Sequence, residues 1–306
     1  MRAAVIDVGS NSTRLLLLEG IGPDGAAGER ITTVTGLRRG AAEDGTVSPA
    51  ALARLGACLD DYAERIAHAG SPPVVAVGTS AVRDAPNRAA IIQLVTERLG
   101  ASLSVVAGED EAALAFAGAR LVPGADGPSC RVLDIGGGST EVVQGDAEGP
   151  RHVVSLPLGV NRQAHLITTD PPAQSEVAGV RAVARAMVAD GTRAFPASGR
   201  LVGVAGTVTT VAAILNGRYD PTEVHGMEIT GAEAEDVLGR LAALDDAGRR
   251  GVPGLHPDRA DVIVTGLAIL LGALDALGDA RIVVSERDIL DGIALDWASS
   301  RPPAGE

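Results

Sequence analysis

The chain opens on an apolar run at residues 2–8, breaks at a polar, glycine-bearing turn, and resumes as LLLLEG (15–20) and ITTVTG (31–36). Short apolar runs bounded by Gly, Asn and Asp predict three β-strands, the last two joined through GPDGAAG. From Ser48 the period lengthens. Ser48-Pro49 followed by apolar positions at helical spacing predicts an amphipathic helix to about His68, with Ser as N-cap and Pro in the first turn. PPVVAVG predicts a strand that runs into a polar loop, TSAVRDAPN. A helix to Leu99, a short strand LSVVAG (103–108) and a helix over 109–121 complete this half.

VPGADGPS (122–129) concentrates Gly and Pro and is the best boundary in the chain, which predicts domains at 1–125 and 126–306. The pattern then restarts. RVLDIGGGSTEVVQ predicts two strands and RHVVSLPLG a third, with helices near 160–167 and 174–190. Strand RLVGVAG (200–206), a Gly-led helix start at GTVTTVAAIL, helices at 231–242 and 260–277, strand RIVVS (281–285) and a closing helix from Asp288 follow. Each half reads β-β-β and then alternating helices and strands, so the fold class is α/β, duplicated.

The duplication is sharpest at two turns. VIDVGSNSTRLL (5–16) lies over VLDIGGGSTEVV (132–143) without a gap, placing Asp7 on Asp134, Gly9 on Gly136, Ser12 on Ser139, Thr13 on Thr140 and Arg14 on Glu141. A repeat at this distance fits a duplicated domain rather than an array of short units. Three glycines weaken a plain hairpin, so something must approach the backbone closely there. Both turns lead from strand to strand, whereas a dinucleotide-binding glycine loop leads into a helix, and no GxGxxG occurs at either turn.

Composition narrows the chemistry. Formal charge is −13, and all 26 basic residues are Arg; the chain contains no Lys. The Walker phosphate loop needs a Lys and is therefore excluded. A polyanion handled by this acidic chain must meet backbone N–H groups, Arg and a metal ion. Nucleic acid and membrane are disfavoured as partners by the acidic balance and by only 2% aromatic residues. Cys58 and Cys130 stand far apart and read as buried, reduced thiols. No apolar export core is visible at the N-terminus, and the longest apolar stretch, Val262 to Leu274, is too short to span a bilayer. A cytoplasmic location is the expectation.

Six motifs in order, DVGSNSTRLL, TSAVRDAPN, GEDEA, DIGGGSTE, GVAGTVTT and RADVI, resemble the exopolyphosphatase and guanosine pentaphosphate phosphohydrolase family, within the actin, sugar-kinase and Hsp70 superfamily. The resemblance runs from about residue 1 to 297. It implies two duplicated actin-like (ribonuclease H-like) domains around an interdomain cleft, in a short form without the further C-terminal helical region of many relatives. The last helix is allowed to pack back on the first domain. The chain departs from the family at SERDILDGI, where Leu290 and Asp291 precede Gly292 in place of Arg-Glu.

Candidate residues follow. Asp7 and Asp134 end strands at the two turn mouths, and with Glu141 they form the expected metal side for Mg²⁺ or Mn²⁺, since Mg²⁺ takes one or two carboxylates, waters and substrate phosphates. Ser10, Asn11, Ser12, Gly136, Gly137, Gly138 and Ser139 supply N–H groups and hydroxyls to terminal phosphates. Thr207 opens a helix whose N-terminus suits a further phosphate. Arg14 and Arg83 are expected to bind phosphate through their forked guanidinium groups, with Arg38 and Arg39 as further candidates. Glu109, Asp110 and Glu111 compete as catalytic acids on sequence grounds; the resemblance implies Glu111, the acid before Ala112, as the group that activates water. A Glu of ordinary pKa is ionised at neutral pH and can do so.

The five His residues form no ligand pattern. The expected activity is release of phosphate from the end of inorganic polyphosphate, with short chains favoured. Guanosine pentaphosphate or tetraphosphate as ligand, a non-catalytic alarmone-binding regulator, and a sugar kinase are the alternatives; the oligomeric state is left open, a homodimer included.

Overall fold

The computed structural model describes residues 1–22, 25–42, 44–123 and 129–301. The chain divides into two compact units, Met1–Gly118 together with the chain from Ile289, and Ala119–Asp288. The expected boundary at 125/126 lies outside the described residues; the division itself falls at the end of a helix, before that loop.

In the first unit β1 (Ala3–Val8), β2 (Thr13–Gly22) and β3 (Gly25–Thr33) form an antiparallel meander. α1 (Pro49–His68) then leads to β4 (Val74–Gly78), α2 (Ser80–Arg83), α3 (Arg88–Leu99), β5 (Leu103–Val105) and α4 (Gly108–Ala119). β4 runs parallel to β1 and β5 parallel to β4, giving the order β3-β2-β1-β4-β5.

The second unit repeats this plan. β6 (Cys130–Ile135), β7 (Thr140–Asp146) and β8 (Gly149–Leu156) form the meander; α5 (Val160–Gln163) and α6 (Gln174–Gly191) lead to β9 (Arg200–Val204). α7 (Ala205–Asn216), α8 (Pro221–Val224), β10 (Glu228–Thr230), α9 (Gly231–Ala242), α10 (Asp246–Arg250) and α11 (Ile263–Leu277) precede β11 (Arg281–Val284) and α12 (Ile289–Ser299). The sheet order β8-β7-β6-β9-β11 copies the first, with β10 added antiparallel at the β11 edge.

Burial follows from position. β1 is central, so all six of its residues are buried, and its apolar side chains divide between two cores. Ala4, Ile6 and Val8 meet Leu55, Leu59 and Tyr62 of α1 and Ile91 and Val95 of α3. Ala3 and Val5 face Ala115 of α4 and Ile289, Ile293 and Ala294 of α12. α12 thus belongs to the first unit. Its Asp291 is fully buried and accepts from Arg30 Nη2 at 2.7 Å and from the Ala26 amide at 3.2 Å, both on β3. In the second unit every residue of α11 from Ile263 to Leu274 is buried, and Gly272 lets the helix approach α6, since a Cβ there would lie 2.5 Å from Arg181 O. The long apolar stretch is therefore a core helix; among the described residues no helix is long and apolar enough to cross a membrane.

Three local expectations change. The third strand spans Gly25–Thr33, not 31–36, because β2 recruits the small residues of AAGER as its partner. Gly28 makes that pairing, at a φ of 151° and with no room for a Cβ beside Leu17 O. TSAVRD holds one helical turn, α2, and β10 is a three-residue strand without a legible apolar run. Ser48 caps α1 as expected, accepting from the Ala51 amide at 3.3 Å. Cys58 and Cys130 are buried and free.

Candidate active site

The two glycine turns have one construction. The Gly9 amide donates to Ser12 O at 3.0 Å, and the Gly136 amide donates to Ser139 O at 3.0 Å. A Cβ at either glycine would stand 3.0 Å or 3.2 Å from the same acceptor. Asp7 pairs across the hairpin with Arg14, and Asp134 with Glu141 at the matching register.

Each turn is held from its carbonyl side by the segment that follows the meander. In the first unit Asn11 O accepts from the Gly36 amide at 2.8 Å and Ser10 O from the Arg38 amide at 3.2 Å. In the second, Gly136 O accepts from the Val160 amide at 3.0 Å, Gly137 O from those of Asn161 and Arg162, and Gly138 O from Arg162 Nε at 2.8 Å. In a trans peptide the N–H points opposite its C=O. Fixing these carbonyls therefore turns the amides of Asn11 and Ser12, and those of Gly137, Gly138 and Ser139, away from the supporting segment. Runs of such amides make an anion-binding concavity. Gly159 is indispensable to the support, because a Cβ would meet Gly137 O at 2.4 Å. Ser10 Oγ also lies 3.2 Å from Ser80 Oγ, which anchors the first turn to α2.

The charges at the two hairpins differ. Arg14 donates from Nε and Nη2 to Asp7 Oδ2 at 3.0 and 2.7 Å. The structure thus joins an expected metal ligand to an expected phosphate ligand as an ion pair. At the second hairpin the cross-strand pair is two acids: Asp134 is half-buried, and Glu141 is buried and accepts from Ser155 Oγ at 2.7 Å. Among the described residues no three His, Cys, Asp or Glu side chains group as a metal cage. Two cross-strand carboxylates still fit Mg²⁺, which completes its shell with water and phosphate oxygens.

The three acids of α4 are separated by burial. Glu109 and Asp110 are exposed, whereas the Glu111 side chain is 12% exposed and accepts from Arg83 Nη1 at 2.8 Å. Arg83, at the end of α2, also donates Nη1 to Val106 O at 2.9 Å. Burial pushes the Glu111 carboxyl up to about 7, against the hydrogen bond and charge of Arg83, with the negative charges of Asp7 and Asp84 adding to the rise. The ordinary pKa expected from sequence is corrected: desolvation is the larger effect.

Thr207 is buried in the first turn of α7, 2.5 Å from the place a Cβ would take on Gly266. Before it Ala205 adopts a left-handed φ of 65°, a strained conformation for a residue with a Cβ. Arg259 Nη1 donates to Gly206 O at 2.8 Å and to Thr210 Oγ1 at 2.9 Å, so this helix start carries an arginine against it. Sequence reasoning passed over Arg259, Arg162, Ser155 and Ser80. RADVI and TSAVRDAPN contain two of them, but nothing local marks their partners. His225 Nδ1 accepts from the Glu286 amide at 3.2 Å, a structural role.

The chain is 36% identical over 317 residues to exopolyphosphatase 2 of Mycobacterium tuberculosis, covering 97% of this chain and 98% of that protein. It is 28% identical over 302 residues to exopolyphosphatase 1 of Mycobacterium bovis, covering 96% and 88%. The crystal structure of the Aquifex aeolicus Ppx/GppA family member superposes with a TM-score of 0.81 at 26% identity over 99% of both chains. The exopolyphosphatase structure from Cytophaga hutchinsonii shares the fold, with a TM-score of 0.88 over the full length of both chains. These neighbours carry an actin-like fold, and the model of the Ppx/GppA phosphatase family matches residues 28–301. With its duplicated glycine turns and that match, the chain belongs to the Ppx/GppA phosphatase family.

Proposed function

We propose that this protein is an exopolyphosphatase that hydrolyses the terminal phosphoanhydride of inorganic polyphosphate, favouring short chains. The observation that carries the reading is Glu111. It is a buried carboxylate held by one arginine, with its proton affinity raised into the neutral range, in the same unit as an amide-lined turn. A base poised near the working pH combines the correct protonation state with adequate driving force. Glu111 orients the attacking water and takes its proton. The bond from water oxygen to terminal phosphorus forms as the bridging P–O bond breaks, and the shortened chain leaves with that electron pair.

Phosphoryl transfer asks the protein for positioning and charge stabilisation rather than covalent chemistry. The outward amides of both turns, the hydroxyls of Ser10, Ser12 and Ser139, the helix start at Thr207, and Arg14 and Arg83 bind phosphate oxygens in this reading. Asp134 and Glu141 would hold Mg²⁺ or Mn²⁺, which supplies positive charge to phosphoryl oxygens when bound. Asp7 serves Arg14 instead, fixing the direction of its fork. The relatives' names support polyphosphate as substrate.

Phosphate release from polyphosphate of defined length, guanosine pentaphosphate and ATP, each with and without chelator, tests the proposal. Metal-dependent release that is fastest from polyphosphate is expected. Turnover of guanosine pentaphosphate alone would assign the second family activity, and binding without turnover of any of them would make the protein a regulator.

A further inference from the structure

The segments that support the two turns correspond, and their arginines are used differently. Ser10 and Gly137 occupy equivalent positions in the duplicated sequence, and each carbonyl accepts from an arginine amide, Arg38 in the first unit and Arg162 in the second. Arg162 bends its side chain back, and Nε takes Gly138 O at 2.8 Å. At the first turn the equivalent carbonyl, Asn11 O, is already taken by the Gly36 amide at 2.8 Å. The Arg38 guanidinium is therefore not needed by its turn. Its hydrogen bond is a long one, Nη1 to Gly45 O at 3.5 Å, and among the described residues it meets no carboxylate within ion-pair distance.

Arg54 and Arg120 likewise donate to carbonyls, whereas other arginines of this chain of net charge −13 are neutralised by acids. Arg14, Arg30, Arg83, Arg131 and Arg249, all at most partly exposed, each hold an acid at 2.7–2.8 Å. The backbone that carries Arg38 is also fixed. Arg54, on α1, donates Nε to Thr35 O at 2.8 Å and Nη2 to Gly36 O at 2.9 Å, and Thr35 Oγ1 bonds Thr13 Oγ1 at 3.0 Å. Gly36 sits at a φ of 57°, which turns the chain sharply.

We propose that Arg38 forms an additional phosphate subsite beside the first turn, binding an internal phosphate of a polyanionic chain. The inference rests on the phosphoanhydride reading above and adds to it the point at which the substrate is gripped away from the reacting end. Its backbone is held to the first turn through Ser10 O, the half-exposed side chain is long enough to reach past it, and a forked guanidinium suits tetrahedral oxyanions.

The test compares Arg38→Gln and Arg38→Lys with wild type; both keep the backbone amide and thus the turn support. For polyphosphate long enough to reach the subsite, Arg38→Gln should raise KM by about five- to tenfold, the loss of one charge-assisted contact, with the loss falling on KM rather than kcat. The dependence of log KM on log salt should flatten by roughly one contact, and Arg38→Lys should restore most of both effects. Tripolyphosphate should respond least.

An unchanged KM and salt slope would overturn the proposal. So would a fall in kcat alone, which would mark Arg38 as a support for the turn. If wild type releases no phosphate from polyphosphate, the parent reading fails separately; calorimetric binding of inorganic polyphosphate to wild type and Arg38→Gln then decides, and equal affinities would refute the subsite.

Discussion

The two glycine hairpins are one backbone with opposite electrostatics. Asp7 faces Arg14 in the first, and Asp134 faces Glu141 in the second, at the same register of the same turn. A single exchange of sign across a strand pair gives one copy an Asp–Arg ion pair and the other two facing carboxyl side chains. Duplication supplied two turns of one construction, and divergence at one position placed an Arg in the first where the second has a Glu. The same Asp at the mouth of a turn thus meets a cation across the first hairpin and an acid across the second.

Four experiments break or sharpen this contrast. The largest effect is expected at Glu111, which has no counterpart in the comparison. Glu111→Gln should lower kcat by about 10²–10⁴-fold while polyphosphate binding persists, because only the base is lost. Wild-type turnover would remove Glu111 from the mechanism.

The second experiment addresses the hairpins directly. Asp134→Asn or Glu141→Gln should move the half-maximal Mg²⁺ concentration upward by about tenfold or more, whereas Asp7→Asn should leave it in place and raise KM by loosening Arg14. Equal metal shifts from Asp7→Asn and Asp134→Asn would erase the distinction drawn between the turns.

The third reads acidity. Glu111 acts as a base only when deprotonated, and its carboxyl is pushed up to about 7, so kcat/KM should fall as pH drops through that value. Arg83 opposes the rise. Arg83→Gln should therefore carry the acid limb to higher pH, with activity partly recovered in alkaline buffer. A limb that stays in place would show that Arg83 does not tune Glu111.

The smallest effects concern stability. Gly159→Ala should destabilise by about 1–3 kcal/mol in urea titration, since its Cβ overlaps the second turn. Gly179→Ala, in α6 with nothing within 4 Å of the added Cβ, should stabilise by about 0.5–1 kcal/mol. A neutral Gly159→Ala would mean that the support for the second turn yields freely.

What was legible in the sequence was local or repeated. The turns announce themselves because glycines, hydroxyls and acids fall in register twice, and the α/β order follows from apolar runs alternating with helical periods. The helix caps are read from adjacent residues. What was hidden depends on distant partners. Residue types and spacing do not separate Glu111 from Glu109 and Asp110; beyond the family resemblance, it differs by its burial and by Arg83, which is 28 positions earlier in the chain. Arg162 and Arg38 reach their turns across a whole strand pair, and Arg259 reaches Gly206 from another helix region. The start of β3 is not legible because Ala and Gly carry little strand propensity, and its register is imposed by β2.

α12 closes the second core of the first unit, with Asp291 locked onto β3. The ribosome therefore releases the amino-terminal unit's final helix only after the whole of the other unit has been synthesised. During translation β1–β5 must wait with one face of the sheet covered by α4 without α12, while residues 119–288 form a unit from one continuous stretch. Order of synthesis and order of completion are reversed in this protein, and the unit begun first is the one finished last.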